Sequence, residues 1–550
     1  MPSRSTRTAL FLTIGLAAAS PLASAQRSNE PAPVPATGVV RGRVTNASGV
    51  PLRGAEVRVR DPNGRENRLV TTDENGRFEV VNLVPGSWTA SAAKGGYLTQ
   101  QFGQRGPFSA PRTITLAARQ RVDVNFVLQR GGAIAGRLFD EYGDPVAGAR
   151  VQVYRLRYER GRRALVSAGV GDQTDDTGAF RLYALPPGDY YITAILRAAG
   201  ASGIVDATVG APTYYPGTSS LGEAQRLRLA PGEELAGIGF AMQPARPVTV
   251  SGAVVLASGA PARDTTIQLN SGDGNFGVGS APLGNFGRTG ADGTFTMPNV
   301  PPGSYVLRAR AGAVFDPVKG EGEEAVLPLV VGAEGVSGLT VTTTRTPPIA
   351  GTVVADSATP LPNAPIAVGV REPSSGADFK MTARRADRGE AVTFRVPGMQ
   401  GQLALTVETP RGWMLKQVEL DGRDITDRFF ELRGPSPRFR VTLTDRVTRV
   451  SGVVRSGSRA AADATIVLFA DDAARWTYPT RYVATARADD RGAFSIEGLP
   501  PHDYLAVALD DLDAGDDEDP DFLQSLREHA TKVSVDYGES RAVSLELLAR

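Results

Sequence analysis

The chain has 550 residues, of which 41% are hydrophobic and 22% charged, with a formal net charge of +1 and no cysteine. This length exceeds what a single hydrophobic core supports, so several domains are expected, and the composition excludes a disordered chain. The near-zero net charge excludes a general basic surface for nucleic acid, and the lack of cysteine excludes disulfides.

The first 25 residues are typical of an export signal. Arg4 and Arg7 precede the apolar run ALFLTIGLAAAS, and the small residues ASA precede Gln26, as at a signal-peptidase site. The apolar run is too short to cross a bilayer, and no other apolar run is long enough. We therefore expect residues 1–25 to be removed and 26–37 to form a linker. The mature chain is expected to be exported to the periplasm or outside the cell, without a membrane span.

One short motif recurs five times along the rest of the chain. It is a strand with Gly-x-(Val/Leu), and its glycines are Gly42, Gly136, Gly252, Gly351 and Gly452. In the first two copies an alternating run follows, GAEVRVR and GARVQVY, which is typical of a half-buried strand. Abundant glycine (62) and proline (39) favour many short strands and turns. The repeats predict five β-sandwich units: 38–130, 131–246, 247–346, 347–447 and 448–550.

A second motif lies in the middle of the units. TDENGRFEV begins at Thr72, TDDTGAFRL at Thr174, TGADGTFTM at Thr289 and ADDRGAFSI at Ala488. Asp, Asn and Gly favour a tight turn, and the phenylalanine that follows is expected to fill the core. The fourth unit keeps only a degenerate version from Ala386, so we expect this unit to be divergent.

A proline-rich segment follows the second motif at a constant spacing. It reads NLVPGSW, ALPPGDYY, NVPPGSY and GLPPHDY in the four units that keep it. Proline fixes φ and lacks an N–H, and glycine permits a sharp corner, so we interpret the segment as a chain reversal between two strands. Its turn residues are Pro85, Gly86, Pro187, Gly188, Pro302, Gly303 and Pro501.

Together these motifs resemble the carboxypeptidase regulatory-like domain, a transthyretin-like β-sandwich of the Cna-B type. The resemblance implies an exported bacterial protein with an all-β fold and no peptidase domain. Five tandem Ig-like or prealbumin-like β-sandwiches would form an elongated array, because the proline-bearing linkers are short. A single short helix is predicted in DPDFLQSLREHA near the C-terminus, with Asp519 as its N-cap and Pro520 in its first turn.

The sequence offers little for catalysis. His502 and His529 do not have the spacing of zinc ligands, and there is no Gly-x-Ser-x-Gly elbow and no phosphate-binding glycine loop. We therefore expect no enzyme, no metal and no cofactor. The acidic run from Asp510 to Asp521 is interpreted as a solvated loop before the helix, with calcium binding as the alternative.

Aromatic residues in two loops are the candidate ligand contacts. TYYPG contains Tyr214 and Tyr215, and RWTYPTRY contains Trp476, Tyr478 and Tyr482. Exposed tyrosine and tryptophan rings have an apolar face for a sugar ring and a polar group for its hydroxyls. The alternative is that these side chains fasten long loops onto their own sandwiches.

These observations predict a non-catalytic exported protein that binds polysaccharide or another cell-envelope glycan. Weak modules in series would gain avidity where their spacing matches a repeated target. Two alternatives stay open. One is an envelope scaffold or protein-interaction spacer without a small ligand, and the other is a hydrolase that uses paired carboxylates.

Overall fold

The computed structural model describes residues 37–196, 212–244, 248–271, 285–311, 322–373, 378–385, 392–432 and 437–548. The predicted signal sequence and nearly all of the predicted linker lie outside these residues. Within them the chain is almost entirely β-strand, and five separate apolar cores follow one another in sequence. The predicted all-β class with tandem sandwiches is therefore confirmed.

The first sandwich packs two sheets around the buried side chains of Trp88 and Phe126. Its strands are β1 (Gly38–Asn46), β2 (Glu56–Arg60), β3 (Asn67–Thr71), β4 (Arg77–Leu83), β5 (Gly86–Ala93), β6 (Gln100–Gln101), β7 (Ile114–Leu116), β8 (Arg121–Asp123) and β9 (Phe126–Leu128). One sheet has the order β4-β1-β8, with β9 also on β1, and the other has the order β3-β2-β5-β6, with β7 also on β5. Strand β2 alternates exposed and buried residues, as its sequence predicts.

The second sandwich repeats this plan with a longer hairpin. Its strands are β10 (Gly132–Phe139), β11 (Arg150–Glu159), β12 (Arg162–Ser167), β13 (Asp172–Gln173), β14 (Ala179–Leu185), β15 (Gly188–Ile195), β16 (Thr213–Tyr214), β17 (Leu227–Leu229) and β18 (Glu234–Ala241). One sheet has the order β14-β10-β18. The other has the order β12-β11-β15-β16, with β13 on β11 and β17 on β15.

The third sandwich has a three-stranded and a five-stranded sheet. Its strands are β19 (Val248–Val255), β20 (Thr266–Ser271), β21 (Asn285–Arg288), β22 (Thr294–Val300), β23 (Gly303–Ala311), β24 (Gly322–Val331), β25 (Val336–Thr342) and β26 (Thr344–Thr346). The sheet orders are β22-β19-β25 and β21-β20-β23-β24-β26.

The fourth sandwich divides its strands differently. They are β27 (Ile349–Ala355), β28 (Ala367–Arg371), β29 (Asp378–Thr382), β30 (Arg384–Arg385), β31 (Val392–Val396), β32 (Ala404–Glu408), β33 (Met414–Leu420), β34 (Arg423–Asp424) and β35 (Arg438–Thr444). Here β33 pairs with β35, so one sheet has the order β30-β31-β27-β35-β33-β34 and the other has only β29-β28-β32.

The fifth sandwich joins its two sheets through a pairing of β41 with β43. Its strands are β36 (Arg449–Ser456), β37 (Arg459–Ala460), β38 (Thr465–Ala470), β39 (Val483–Arg487), β40 (Ala493–Glu497), β41 (His502–Leu509), β42 (Thr531–Val535) and β43 (Ser540–Leu548). The predicted helix is α1 (Pro520–Leu526), and the Asp519 side chain caps it by accepting a hydrogen bond from the Asp521 N–H. Leu523 and Leu526 are buried in the core of this sandwich.

The same strand pairing opens every unit. The first strand (β1, β10, β19, β27 or β36) runs antiparallel to the strand with the core phenylalanine and parallel to a strand near the end of the unit. In this register the repeated glycine always lies opposite that phenylalanine. The pairs are Gly42 and Phe78, Gly136 and Phe180, Gly252 and Phe295, Gly351 and Phe394, and Gly452 and Phe494. The register thus identifies Phe394 as the core phenylalanine of the fourth unit.

Each proline-rich segment lies directly before a strand. The last proline of each segment (Pro85, Pro187, Pro302 or Pro501) directly precedes strand β5, β15, β23 or β41, and these strands begin at Gly86, Gly188, Gly303 and His502. The sharp backbone conformation falls three residues before that proline, at Asn82, Ala184, Asn299 and Gly498, whose φ angles are 61°, 54°, 60° and 81°. The glycine of the motif also has a positive φ, of 153° at Gly86, 151° at Gly188 and 159° at Gly303, so the turn has two positions with positive φ.

The aromatic residue after each of these turns closes the turn with a hydrogen bond. The Tyr190 hydroxyl donates to the Pro186 carbonyl at 2.5 Å, and the Trp88 indole N–H donates to the Val84 carbonyl at 2.9 Å. Two other tyrosines make the same bond: Tyr305 to Pro301 at 2.8 Å and Tyr504 to Pro500 at 2.6 Å. The ring is thus held in the core while its polar group finds a partner.

A buried threonine ties the second motif to an earlier loop. The Thr174 hydroxyl donates to the Val146 carbonyl at 2.7 Å and accepts from the Ala149 N–H at 2.9 Å. Thr72 and Thr289 make the equivalent pair of bonds in the first and third sandwiches. The fifth has Ala488 at this position, and its backbone N–H bonds to the Ala464 carbonyl.

The units also contact each other outside their order in the chain. The fifth sandwich contacts the first through an ion pair of Arg112 with Asp463 and a hydrogen bond from the Arg487 guanidinium to the Gly103 carbonyl at 2.7 Å. It contacts the second through Arg163 and Asp521, 2.7 Å apart. A fully extended row would not bring these units together, so the chain folds back at its C-terminal sandwich. Short linkers restrict the distance between consecutive units only. They do not prevent the fifth sandwich from contacting the first two.

Candidate functional site: an arginine-lined cleft in the second sandwich

A cleft of about 640 Å³ lies on the second sandwich, beside the fifth. Its charged lining residues are Arg155, Arg157, Arg163, Arg226, Arg228, Asp189 and Asp519. The lining thus has five guanidinium groups and two carboxylates, and three further carboxylates outside the lining, those of Glu159, Asp513 and Asp521, pair with Arg157, Arg155 and Arg163. The volume is in the range of small-ligand sites. We call this space the arginine cleft.

One wall of the arginine cleft is the hairpin of β11 and β12. Arg155 and Arg157 are two residues apart on β11, so their side chains leave the same face of the strand. A two-residue turn joins the strands, and both of its residues, Arg160 and Gly161, have positive φ angles of 56° and 78°. This is the geometry of a tight hairpin turn, which holds the arginines of the wall in a fixed register.

The other wall is the turn within the proline-rich segment ALPPGDYY together with β17. Pro187, Gly188 and Asp189 line it, and Asp189 pairs with Arg228 in the strand register. The Arg226 guanidinium lies 3.3 Å from the Asp189 carboxylate, with both side chains largely exposed. The repeated turn therefore has a second role in this sandwich, because it forms part of the cleft.

Aromatic rings accompany the charges. Tyr158 and Tyr191 both line the arginine cleft. The guanidinium carbon of Arg163 lies 5.4 Å from the centre of the Tyr158 ring, which is within the range of a cation–π contact. The cleft thus combines groups that bind carboxylates with groups that pack against apolar faces.

The edge of the arginine cleft comes from another sandwich. Asp519 of the fifth unit lies 3.9 Å from the Arg163 guanidinium, and Asp513 lies 3.4 Å from that of Arg155. The acidic run that we interpreted as a solvated loop instead contacts arginines. In the described part of the chain, no three Asp, Glu or His side chains are grouped closely enough to hold a metal ion.

The aromatic residues predicted as ligand contacts do not form one open surface. Tyr214 is 4% exposed and packs with Tyr154 and Leu165 inside the second sandwich. Tyr215 is half-buried, and its ring lies 5.8 Å from that of Phe240, edge to face. These two residues therefore fasten the loop onto its own sandwich, which is the alternative that the sequence left open.

The second aromatic group is divided between a core and a junction. Trp476 is 2% exposed, and its indole N–H donates to the Ala470 carbonyl at 2.7 Å. Tyr478 is half-buried and lies 5.9 Å from the Phe429 ring of the fourth sandwich, centre to centre. The half-buried ring of Tyr482 is covered by Arg475 at 4.8 Å. Trp476 therefore lies in the core, whereas Tyr478 and Tyr482 are partly exposed and stay predicted ligand contacts.

Sequence reasoning missed the arginine cleft. Its signal is the run YRLRYERGRR, in which arginines alternate along a strand and cross a hairpin turn. The segment RLRL adds Arg226 and Arg228, but 38 residues separate it from the proline-rich turn that it faces. The pairing of β15 with β17 brings these residues together in the folded chain. The sequence alone does not show this pairing, so the two walls could not be predicted to form one site.

The comparisons with known proteins bear on the fold. Residues 39–129 match the family model of the carboxypeptidase regulatory-like domain, which confirms the predicted resemblance for the first sandwich. No curated protein matches the chain. No helix in the described ranges has the length and apolar character needed to cross a bilayer.

Three solved structures illustrate the structural likenesses. They are the TIE protein of Bacillus anthracis (15% identity, 56% of this chain and 51% of that chain, TM-score 0.16), a streptococcal ancillary pilin (11%, 56% and 99%, 0.22), and BcpA, the major pilin subunit of Bacillus cereus (10%, 56% and 99%, 0.15). The chain covers about half the length of the Bacillus anthracis protein. TM-scores this low carry no argument about function. The family assignment therefore rests on residues 39–129, and the other sandwiches are linked to the first by the motifs and register that they share with it.

Proposed function

We propose that the protein is an exported, non-catalytic binding protein for an acidic polysaccharide of the cell envelope, and that the arginine cleft is its binding site. The observation that carries the proposal is the combination of five guanidinium groups and two tyrosine rings around one space of about 640 Å³. A uronic acid unit offers a carboxylate for a guanidinium fork and a C–H face for a tyrosine ring. A neutral glycan offers only the second of these.

Two further features support the proposal. Each carboxylate that lines the arginine cleft is paired with an arginine, Asp189 with Arg226 and Asp519 with Arg163. This supports ligand binding over hydrolysis by a pair of catalytic carboxylates. The N-terminal signal, in which Arg4 and Arg7 precede an apolar run, supports export to the periplasm or the cell exterior.

The test is calorimetric titration of the mature chain (26–550) with oligogalacturonate, beside the double variant Arg226→Ala, Arg228→Ala. We expect binding by the parent chain and a loss of roughly tenfold to hundredfold in the variant, because a hydrogen bond to a charged group contributes about 1.5–3 kcal/mol. The matched control is Arg58→Ala, Arg60→Ala, which removes two exposed arginines at the same spacing from strand β2 of the first sandwich.

Three results would contradict the proposal. One is equal loss of affinity in the matched control, and another is equal binding of neutral dextran. The third is binding of duplex DNA at the same affinity, which would indicate a general anion surface instead of a glycan site.

A scaffold without a small ligand is the second candidate function. It is favoured by a buried ion cluster that joins the third and fourth sandwiches, where Arg308 lies 2.7 Å from Glu324 and 3.2 Å from Glu372. All three side chains are at most 5% exposed. Such a joint suits a rigid spacer, and a lack of binding in every titration would favour this candidate.

A further inference from the structure

The acidic segment, which we define as residues 510–521, lies among three sandwiches. It belongs to the fifth, and its carboxylates are paired with arginines of the first two. Asp510 pairs with Arg105 of the first sandwich. Asp513 lies 3.4 Å from Arg155 and Asp521 lies 2.7 Å from Arg163, both of the second sandwich. Arg155 and Arg163, two of the five arginines of the arginine cleft, are therefore already held by carboxylates of the acidic segment.

Backbone contacts place the acidic segment in this position. Ser109 and Asp513 form an isolated antiparallel bridge, and the Ala514 N–H donates to the Phe108 carbonyl at 3.3 Å. On the second sandwich, the Gly161 N–H donates to the Glu518 carboxylate at 3.3 Å. The contact is thus specific in geometry as well as in charge.

One glycine of the acidic segment makes the close approach possible. Gly515 has a φ of 94°, and a Cβ added to it would lie 2.5 Å from the Tyr158 carbonyl oxygen of the second sandwich. Any larger residue would be strained in its own backbone and would also push the two sandwiches apart. Gly457 has a φ of 61° but no atom within 4 Å of an added Cβ, so it is a matched control for backbone strain alone.

The ion pairs of the acidic segment are partly exposed. The side-chain exposures are 27% and 36% for Arg155 and Asp513, and 51% and 83% for Arg163 and Asp521. Pairs this exposed are weak one by one and are screened by salt. Another polyanion that reaches the same arginines can form ion pairs of similar strength and therefore competes with the acidic segment.

We propose that the acidic segment is an internal occupant of the arginine surface, and that an acidic polysaccharide displaces it and releases the fifth sandwich from the first two. The displacement rests on the function proposed above, whereas the docking of the acidic segment does not. Ligand binding in the arginine cleft would thereby change the position of the fifth sandwich relative to the first two.

The docking is tested by energy transfer in the mature chain. Because the natural sequence has no cysteine, the double variant Thr115→Cys, Ser495→Cys takes one dye on the first sandwich and one on the fifth. We expect the transfer efficiency to change when sodium chloride is raised from about 0.05 M to about 0.5 M. Gly515→Ala should produce the same change at low salt, and Gly457→Ala should not. An efficiency that responds to neither salt nor Gly515→Ala overturns the docking.

The displacement is tested by titrating oligogalacturonate into the same labelled chain and into the triple variant Asp513→Asn, Asp519→Asn, Asp521→Asn. Asparagine keeps the helix cap at residue 519. We expect binding to shift the energy transfer in the parent, and the triple variant to bind about five- to tenfold more tightly. The control Asp490→Asn, Asp503→Asn, Glu528→Gln makes the same change of net charge at three exposed positions of the fifth sandwich.

The outcomes separate the two proposals. Equal affinity in the triple variant and the control, or binding without a change in energy transfer, overturns the displacement and leaves the glycan site standing. No binding by any variant overturns the glycan site and the displacement together. In that case the response to salt and to Gly515→Ala still decides whether the acidic segment docks.

Discussion

At the scale of single residues, these sandwiches solve one problem repeatedly: how to bury a large side chain without leaving a polar atom unpaired. The tyrosines after the turns place their rings in the core and donate their hydroxyls to a backbone carbonyl four residues earlier, as Tyr190 does to Pro186. An unpaired buried hydroxyl would cost about 1–3 kcal/mol. The spacing of four residues is part of the sequence motif, so the bond recurs wherever the motif does.

The buried hydroxyls predict a response to alkaline pH. Burial raises the pKa of Tyr190 to about 12 and that of Tyr154 to about 12, above the value of about 10 expected in the unfolded chain. Their contribution to stability is therefore complete below about pH 10 and is lost as the pH rises from 10 to 12. Each group lowers the free energy of unfolding of the second sandwich by up to about 1.4 kcal/mol per pH unit in that window.

The variant Tyr190→Phe isolates this effect. At pH 7 it should lower the free energy of unfolding by about 1 kcal/mol, because a hydrogen bond is lost. The deficit should shrink or reverse near pH 11, since phenylalanine has no proton to lose. Calorimetric melting of residues 26–550 at pH 7, 9 and 11 measures the deficit at neutral pH and its change with pH. The control is Tyr142→Phe, because the Tyr142 side chain is 83% exposed. A deficit that stays constant across this range would show that Tyr190 does not titrate on unfolding.

At the scale of elements, the opening strand organises each sandwich. It is paired on both sides, antiparallel to one strand and parallel to another, so its repeated glycine faces a neighbouring backbone. A Cβ added to Gly136, Gly252, Gly351 or Gly452 would lie between 1.8 and 2.2 Å from a carbonyl oxygen of the parallel strand, and one added to Gly42 would lie 1.7 Å from the carbonyl oxygen of Val124, between the parallel strands β8 and β9. The glycine of the motif Gly-x-(Val/Leu) is therefore required by a close approach of two backbones, whereas the sequence alone shows only that the motif is repeated.

The substitution Gly136→Ala tests this close approach. Its Cβ would lie 1.8 Å from the Ile238 oxygen, so β10 and β18 would have to separate. We expect a loss of more than about 4 kcal/mol, which is enough to unfold the second sandwich. Gly143→Ala is the control, because it has a positive φ of 89° but no atom within 4 Å, and it should cost about 1–2 kcal/mol. Limited proteolysis, with fragments mapped to each sandwich, distinguishes the two variants. Equal resistance of Gly136→Ala and Gly143→Ala to the protease would contradict a close approach at Gly136.

At the scale of the whole molecule, the sandwiches are joined by charge. Between the third and fourth, Glu324 accepts from Arg308 at 2.7 Å and from Arg310 at 2.8 Å, and Arg308 also reaches Glu372 at 3.2 Å. Between the fourth and fifth, Arg481 binds both oxygens of Asp427, at 2.8 and 3.0 Å. These pairs make the junctions specific in geometry, so the relative positions of the units are set by more than the linkers.

The buried joint gives a prediction about cooperativity. Glu372→Gln removes one charge from a cluster in which both Arg308 and Glu372 are 4% exposed, and breaking such a pair costs about 3–5 kcal/mol. We expect sandwiches three and four to melt together in the parent chain and to melt separately in the variant. Glu408→Gln is the matched control, because its partner Lys380 is exposed and the change should cost less than about 1 kcal/mol. Identical calorimetric traces for the two variants would refute the joint.

Much of this protein could be predicted from local sequence. Strand alternation, the turn motifs and the capped helix were all predictable, because a strand period, an Asx turn and an N-cap depend on residues a few positions apart. The candidate ligand contacts could not be predicted in the same way. Trp476 reads as a loop aromatic, but its burial depends on the sheet that packs above it, and the partners of Asp513 lie more than 350 residues away in the chain.

Local sequence was thus enough to predict a series of similar β-sandwiches, since the motifs of each unit lie within that unit. Where the charges of different units meet could be seen only in the folded chain. The arginine cleft needs β11, β17 and the acidic segment together, and the docking of the fifth sandwich needs a glycine that faces another unit. The difference lies in separation along the chain. Hydrophobic periodicity and turn chemistry depend on residues that are near neighbours in the sequence, whereas ion pairs form between any groups that the folded backbone brings within about 4 Å.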